Sequence, residues 1–493
     1  MSSERPAAWT QLLLPLQGVD IASDAAAGIP RSKRVNVNRN LRMSEIDWVG
    51  FDMDYTLAIY RQNEMDALSV QATVERLVKR GYPAHLARTR YDTRYPIRGL
   101  LIDKRHGHVL KMDRYKVVQK AYHGMRRVGR DEVEALYLHR RIRPTTPRYH
   151  WIDTLFALSE VTAYAGIVDA LERRGDEVDH ARLFADIRES IDEAHRDGTV
   201  YAAVRADPAR YIEKDPDLAR TLHKLRSAGK KLFLLTNSPW HYTESVLGYL
   251  LDDALAEYRS WKQYFDVAIV SAQKPSWFQE GRPLCERDGD VLRSVRGPLE
   301  RGKLYEGGSL REFERLVEVH GDQVLYVGDH IYGDILKSKK ESTWRTAMII
   351  QELDAEIAAH ESCERDLARQ RQLGEGRDDM ENDLRFYQAQ WKELGRRDDA
   401  EADAARVRTK RAIERIRAEL RAIEKESHAI EERVDKSFHP YWGSLLKEQN
   451  EMSSFGIQVE LYADIYTARV SCLGAYSPQQ YFRSPYDLMP HEL

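Results

Sequence analysis

The sequence predicts an α/β fold: a parallel central sheet, an inserted helical cap and a charged helical arm near the C-terminus. Three observations predict it. Short apolar runs recur at 46–52, 231–236, 265–270, 323–328 and 345–350, each bounded by polar residues or glycine. Runs of that length read as buried strands, and with helical segments between them they make a parallel sheet. The gap between the first and second runs far exceeds a crossover helix, so it holds an inserted domain. Residues 352–436 then shift in composition to Glu, Arg, Asp, Lys and Ala.

Taken in order, residues 1–35 form an N-terminal extension. Its run Leu12-Leu13-Leu14 stops at Pro15, too short for a signal-peptide core or a membrane span. Residues 36–127 supply the first part of the core, and its opening strand ends near Asp52. Residues 128–215 form the cap, where Leu155, Leu158, Val161, Ile167 and Leu171 carry helical spacing. The cap is expected over the carboxyl ends of the strands, where open α/β sheets bind ligands. Residues 216–351 complete the core. Leu222 to Ala228 reads as a helix end, with Gly229 as its stop.

Residues 352–440 form the arm. Ile413, Ile416, Leu420, Ile423, Ile430 and Val434 follow a three–four spacing, with Ser427 in the one polar slot, and Leu384, Tyr387, Trp391 and Leu394 repeat it. The stretches Gly374-Glu375-Gly376 and Gly395-Arg396-Arg397-Asp398 read as turns, which gives a helical hairpin or short antiparallel coiled coil. Residues 441–493 are expected to pack back on the core, and the tail from 455 to 493 is richer in Tyr and Leu.

The bulk numbers narrow the class. At 493 residues the chain exceeds a typical single core. Hydrophobic residues make up 42% and charged residues 31%, as in a globular protein. The net charge of −3 carries no basic excess, which argues against nucleic-acid or anionic-membrane partners. Cys285, Cys363 and Cys472 are odd in number and far apart, which suits a reducing compartment. The expectation is a cytoplasmic protein.

Four segments carry chemistry. Asp52-Met53-Asp54 closes the first strand: one carboxylate can attack phosphorus, and the other can protonate the leaving oxygen. Thr236-Asn237-Ser238 closes the second and offers hydroxyl and amide donors, although the same residues suit a helix N-cap. Lys274 follows the third and can neutralise a transferred group. Asp329 and Asp334 follow the fourth, as hard oxygen ligands of the kind Mg²⁺ prefers. Each segment alone is weak. Their order, each after a strand, fits phosphoryl transfer, which needs positioning and charge neutralisation.

These segments resemble the haloacid dehalogenase superfamily. The stretches Gly50 to Ala58, Thr73 to Val78 and Gly328 to Lys340 are similar to the cytosolic purine 5′-nucleotidase family, as is the tail Leu488-Met489-Pro490-His491-Glu492. The resemblance implies a Rossmann-like core under a helical cap and a bound Mg²⁺. It implies Asp52 as nucleophile and Asp54 as general acid and base, with Asp54 also a metal ligand through its carbonyl. Thr236 and Lys274 would hold phosphate, Asp329 would bind metal, and Asp334 would support the metal shell or Lys274. In the cap, Phe156 would stack on the base, and Arg188, Asp192 and His195 would face base and ribose, beside Asn237 and Ser238. The family's lysine near position 201 is missing from Arg196-Asp197-Gly198-Thr199-Val200-Tyr201. Arg143, Tyr332 and Lys340 match parts of an effector site. The implied activity is hydrolysis of nucleoside 5′-monophosphates of the IMP or GMP type, with phosphotransfer to a nucleoside as a side reaction, in a homo-oligomer (dimer or tetramer). A phosphatase for another small ester, or a non-catalytic interaction protein on the same fold, are the rival readings.

Overall fold

A computed structural model describes residues 28–138, 142–295, 297–397, 399–485 and 490–492. The Leu12-Leu13-Leu14 run, most of the 1–35 extension, and Leu488 and Met489 lie outside the described residues.

All five expected strands form and lie side by side. In spatial order the parallel strands are Arg345–Ile349, Val324–Gly328, Trp48–Phe51, Lys231–Leu235, Val267–Val270 and Leu304–Gly308. Ile465–Thr467 extends the sheet in parallel beyond Arg345–Ile349, and Asn36–Val37 pairs antiparallel outside it. At the opposite edge the hairpin Arg282–Asp288 and Val291–Ser294 adds two antiparallel strands. This is the expected parallel α/β core. Its strands read as continuous apolar runs because both faces are covered. Phe233 and Leu235 pack on one face with Trp277, Phe313 and Trp344, while Leu232 and Leu234 join the main core on the other. Gly50 is required there: a Cβ would stand 2.1 Å from the Phe233 ring.

The insertion contains the expected helices, among them Gln62–Lys79, Leu158–Glu172, His180–Arg196 and Thr199–Ala206. It also contains a five-stranded antiparallel sheet in the order Arg126–Arg127, Val118–His123, His108–Met112, Leu100–Asp103 and Tyr149–Ile152, which the sequence reading did not anticipate. Buried charges break its apolar pattern. Lys111 bonds Glu448 at 2.5 Å, and Lys120 bonds Asp435 at 2.7 Å.

The arm is a hairpin of two helices, Glu364–Leu394 and Ala400–Phe438. They run antiparallel: Asp366 meets Arg433 at 2.7 Å, Arg369 meets Glu426 at 2.7 Å, and Gln390 lies opposite Thr409 at 3.5 Å. Gly395 does sit in the turn. Gly374 and Gly376 do not, since the first helix runs straight through them. Each glycine costs a helix about 1 kcal/mol, which packing along the partner helix overrides. A cavity of about 1610 Å³ opens between arm and body, lined by Lys120, His360, His428 and Asp435, and Asp52, Asp54, Asp329 and Asp334 do not line it. Among the described residues no helix is long and apolar enough to cross a membrane.

Candidate active site

The site lies at the carboxyl ends of four adjacent strands. Beyond Phe51, the Asp52 amide still donates to the Val327 carbonyl at 2.9 Å, which fixes Asp52 at the sheet edge. The chain then turns tightly. The amides of Thr56, Leu57 and Ala58 all donate to the Met53 carbonyl, and Tyr55 takes φ of 56°. That left-handed geometry is uncommon for a bulky residue and marks a constrained loop. The turn aims Asp52 and Asp54 in different directions. Asp54 accepts from the Tyr60 hydroxyl and the Ser238 hydroxyl, both at 2.6 Å.

Asp52 accepts from the Lys274 ammonium at 2.9 Å, and that ammonium also reaches Asp334 at 2.6 Å. The Tyr326 hydroxyl completes its surroundings at 2.9 Å. Asn237 sets the lysine from below. Its amide nitrogen donates to the Lys274 carbonyl at 2.9 Å, and its oxygen accepts from the Lys274 amide at 2.6 Å. Thr236 is fully buried, and its hydroxyl accepts from the Ser238 amide at 3.1 Å. Asp334 packs against Gly328, where a Cβ would come within 2.6 Å of the Asp334 side chain, so the glycine admits the carboxylate.

Burial sets the electrostatics. It pushes the Asp52 carboxyl up to about 7, against the opposing pull of Lys274 and with further push from Asp334 and Asp54. Burial also raises Asp54, against its hydroxyl donors. Asp329 is raised well above the carboxylate range by burial and then by Asp334. Desolvation pulls Lys274 down, but Asp334 and Asp52 outweigh it and hold the ammonium charged.

Asp52, Asp329 and Asp334 place carboxylate oxygens within 4.8 Å of one another. Asp329 Oδ2 is buried with no hydrogen-bond partner. A buried lone pair without a donor is costly, and a hard cation removes that cost. The donor set therefore fits a divalent metal.

Over the site, Phe156 is 38% exposed at the start of the first cap helix. Its ring meets Tyr55 edge-on at 4.7 Å and His195 at 6.1 Å, and Tyr201 stands 6.0 Å beyond His195. Tyr201 also packs on Tyr242, whose hydroxyl bonds Tyr60 at 2.8 Å. An aromatic wall thus runs from the Asp54 cradle into the cap. Arg188 lies further back on the helix, 3.8 Å from Glu160 and 3.1 Å from the His150 ring. Asp192 is exposed one turn later. Arg143, Tyr332 and Lys340 are exposed, and the Lys337 ammonium sits 5.5 Å over the Tyr332 ring.

Sequence reasoning missed Tyr60, Tyr326, Glu160 and Arg98. Arg98 is fully buried, donates to the Asp329 carbonyl at 2.9 Å, and forks onto Glu352 at 2.8 and 2.6 Å. No local signal marks it, since its partners are more than 200 residues away.

The model of the 5′-nucleotidase family matches residues 35–493. The chain belongs to that family. Curated relatives agree. The 5′-nucleotidase domain-containing protein DDB_G0275467 of Dictyostelium discoideum is 30% identical over 93% of this chain and 74% of its own. The 5′-nucleotidase domain-containing protein 2 of Rattus norvegicus is 29% identical over 90% of this chain and 77% of its own. Among solved structures, a HAD phosphatase from Thermococcus onnurineus covers 62% of this chain and 87% of its own at 15% identity, with a TM-score of 0.24, too slight a likeness to argue from. This member of the 5′-nucleotidase family is a phosphoric monoester hydrolase.

Proposed function

We propose that this chain is a Mg²⁺-dependent 5′-nucleotidase acting on nucleoside monophosphates, with IMP and GMP preferred. The carrying observation is the junction of Asp52, Lys274 and Asp334, with Asp54 held apart by Ser238 and Tyr60.

The two leading carboxylates take different roles because their neighbours differ. Asp52, facing the ammonium, is the nucleophile: its oxygen bonds phosphorus as the bond to the ribose 5′-oxygen breaks. Asp54, raised by burial and oriented by two hydroxyls, is the acid that protonates the departing oxygen. After the nucleoside leaves, Asp54 takes a proton from water, which attacks phosphorus and frees Asp52. A nucleoside hydroxyl in place of water gives phosphotransfer. Lys274 and Thr236 receive the phosphoryl group. Asn237 acts through the Lys274 backbone.

Asp52, Asp329 and the Asp54 carbonyl would hold Mg²⁺. Asp334 would act behind them, since its oxygens already meet Lys274 and the His330 amide at 3.2 Å. When bound, the ion neutralises charge on the phosphoryl oxygens. Phe156 stacks on the base, a contact tolerant of base identity, while His195, Arg188 and Asp192 supply edge contacts. Phosphate release from a panel of nucleoside and sugar monophosphates, with and without Mg²⁺, tests this. Preference for IMP and GMP is expected. Equal release from sugar phosphates would discard the nucleotide pocket and keep only the phosphatase.

A further inference from the structure

A second group of ligand-type side chains lies outside the carboxylate site. His123 ends the strand Val118–His123, Glu172 ends the helix Leu158–Glu172, and His180 opens the helix His180–Arg196. Their ligand atoms all lie within 4.8 Å of one another. His123 Nε2 stands 2.8 Å from both Glu172 oxygens, and His180 Nε2 stands 3.9 Å from Glu172 Oε1. Ligands at 2.0–2.1 Å from a tetrahedral ion sit about 3.3 Å apart, so these separations bracket that spacing.

Two further observations point to a cation. His123 Nδ1 lies 3.2 Å from the His106 carbonyl. A carbonyl only accepts, so that contact sets Nδ1 as a donor and turns Nε2 toward the Glu172 carboxylate. Metal-bound histidines are oriented by this same backbone contact. His180 Nδ1, in turn, is buried with no hydrogen-bond partner. The backbone makes room for that ring: at Gly107, with φ of 71°, a Cβ would stand 2.5 Å from it.

We propose that His123, Glu172 and His180 form a site for a Zn²⁺-type ion that fastens the far ends of the two cap helices to the antiparallel sheet. Two imidazoles and a carboxylate suit Zn²⁺, with water in the fourth position. Phe156 sits just before the first of these helices and His195 near the far end of the second, roughly 22 Å away for a 15-residue helix. The ion would hold the cap without touching substrate.

The test uses the full chain, stripped with chelator and returned to excess Mg²⁺ so that the hard carboxylates are filled. Zn²⁺ is titrated calorimetrically, and Co²⁺ is added separately to read imidazole coordination from its visible spectrum. The expected result is one Zn²⁺ per chain, a raised unfolding midpoint and a Co²⁺ spectrum of low coordination number. His180→Ala is expected to weaken Zn²⁺ by about tenfold or more and to lose that spectrum. Glu172→Gln serves as the second variant should the first fail to fold by circular dichroism. No Zn²⁺ uptake by the wild type would overturn the proposal, leaving His123 and Glu172 as a simple ion pair. Folded variants that bind Zn²⁺ as tightly as the wild type would overturn it equally.

Discussion

Lys274→Met tests how the candidate site is held together. The Lys274 ammonium is 4% exposed and meets Asp334 at 2.6 Å and Asp52 at 2.9 Å. Methionine fills similar volume without the charge, so the loss is electrostatic. Removing one partner of a buried ion pair costs about 3–5 kcal/mol, because the remaining charge stays buried and uncompensated. The loss depends on pH. Burial already pushes Asp52 up against the pull of Lys274, and without that pull it binds a proton more readily still. At pH 8 the metal-free variant carries the full penalty. Near pH 5 a proton neutralises Asp52, and the gap to wild type narrows. Urea unfolding in chelator, followed by fluorescence of the buried Trp277 and Trp344, reads this directly. Phosphate release with Mg²⁺ is expected to fall by about 10²–10³. A metal-free variant as stable as wild type at pH 8, or equally weakened at both pH values, would refute the reasoning.

Three further outcomes are expected. Tyr60→Phe removes one of two hydroxyl donors to Asp54, so its carboxyl should rise and turnover should fall by about tenfold, with the pH–rate profile moved to higher pH. Phe156→Ala should cost about 1–3 kcal/mol of nucleotide binding, read as a raised KM, while turnover of a small ester lacking a base is unchanged. His439 accepts from the amides of Tyr441 and Trp442 and lies 2.7 Å from the Arg94 carbonyl, so its neutral ring is satisfied, and burial pushes it from 6.5 down to about 4. A depressed histidine stabilises the fold above its unfolded value and loses that contribution as pH falls from 6.5 toward about 4. His439→Leu should therefore flatten part of the acid-side slope of the unfolding midpoint. His108 and His150, also pushed down to about 4 by burial, contribute to the same slope.

The central strands were legible because burial on both faces makes their sequences uniformly apolar. Leu304–Gly308 was not, since Glu306 and two glycines of positive φ break its run. The antiparallel sheet escaped for a similar reason: Lys111 and Lys120 look like surface residues until Glu448 and Asp435 arrive from the far end of the chain. In the site, loops ending consecutive strands necessarily converge, so Asp52, Lys274, Asp329 and Asp334 could be read in advance. Asn237 and Ser238 were read as substrate contacts rather than as supports of Lys274 and Asp54, and Arg98 was not read at all. Asn237 acts on the Lys274 backbone, Ser238 on Asp54, and Arg98 behind Asp329, and each depends on contacts made only after folding. The glycines at 374 and 376 misled because local propensity yields to the partner helix.

The most direct test of the central claim is single-turnover trapping of the phosphorylated protein. Wild type and Asp52→Asn are mixed with IMP and Mg²⁺, quenched in acid and mapped by peptide mass spectrometry. The account predicts one added phosphoryl group on Asp52 in the wild type and neither adduct nor phosphate release in the variant. Phosphate release by Asp52→Asn at the wild-type rate, or an adduct on another residue, would contradict it.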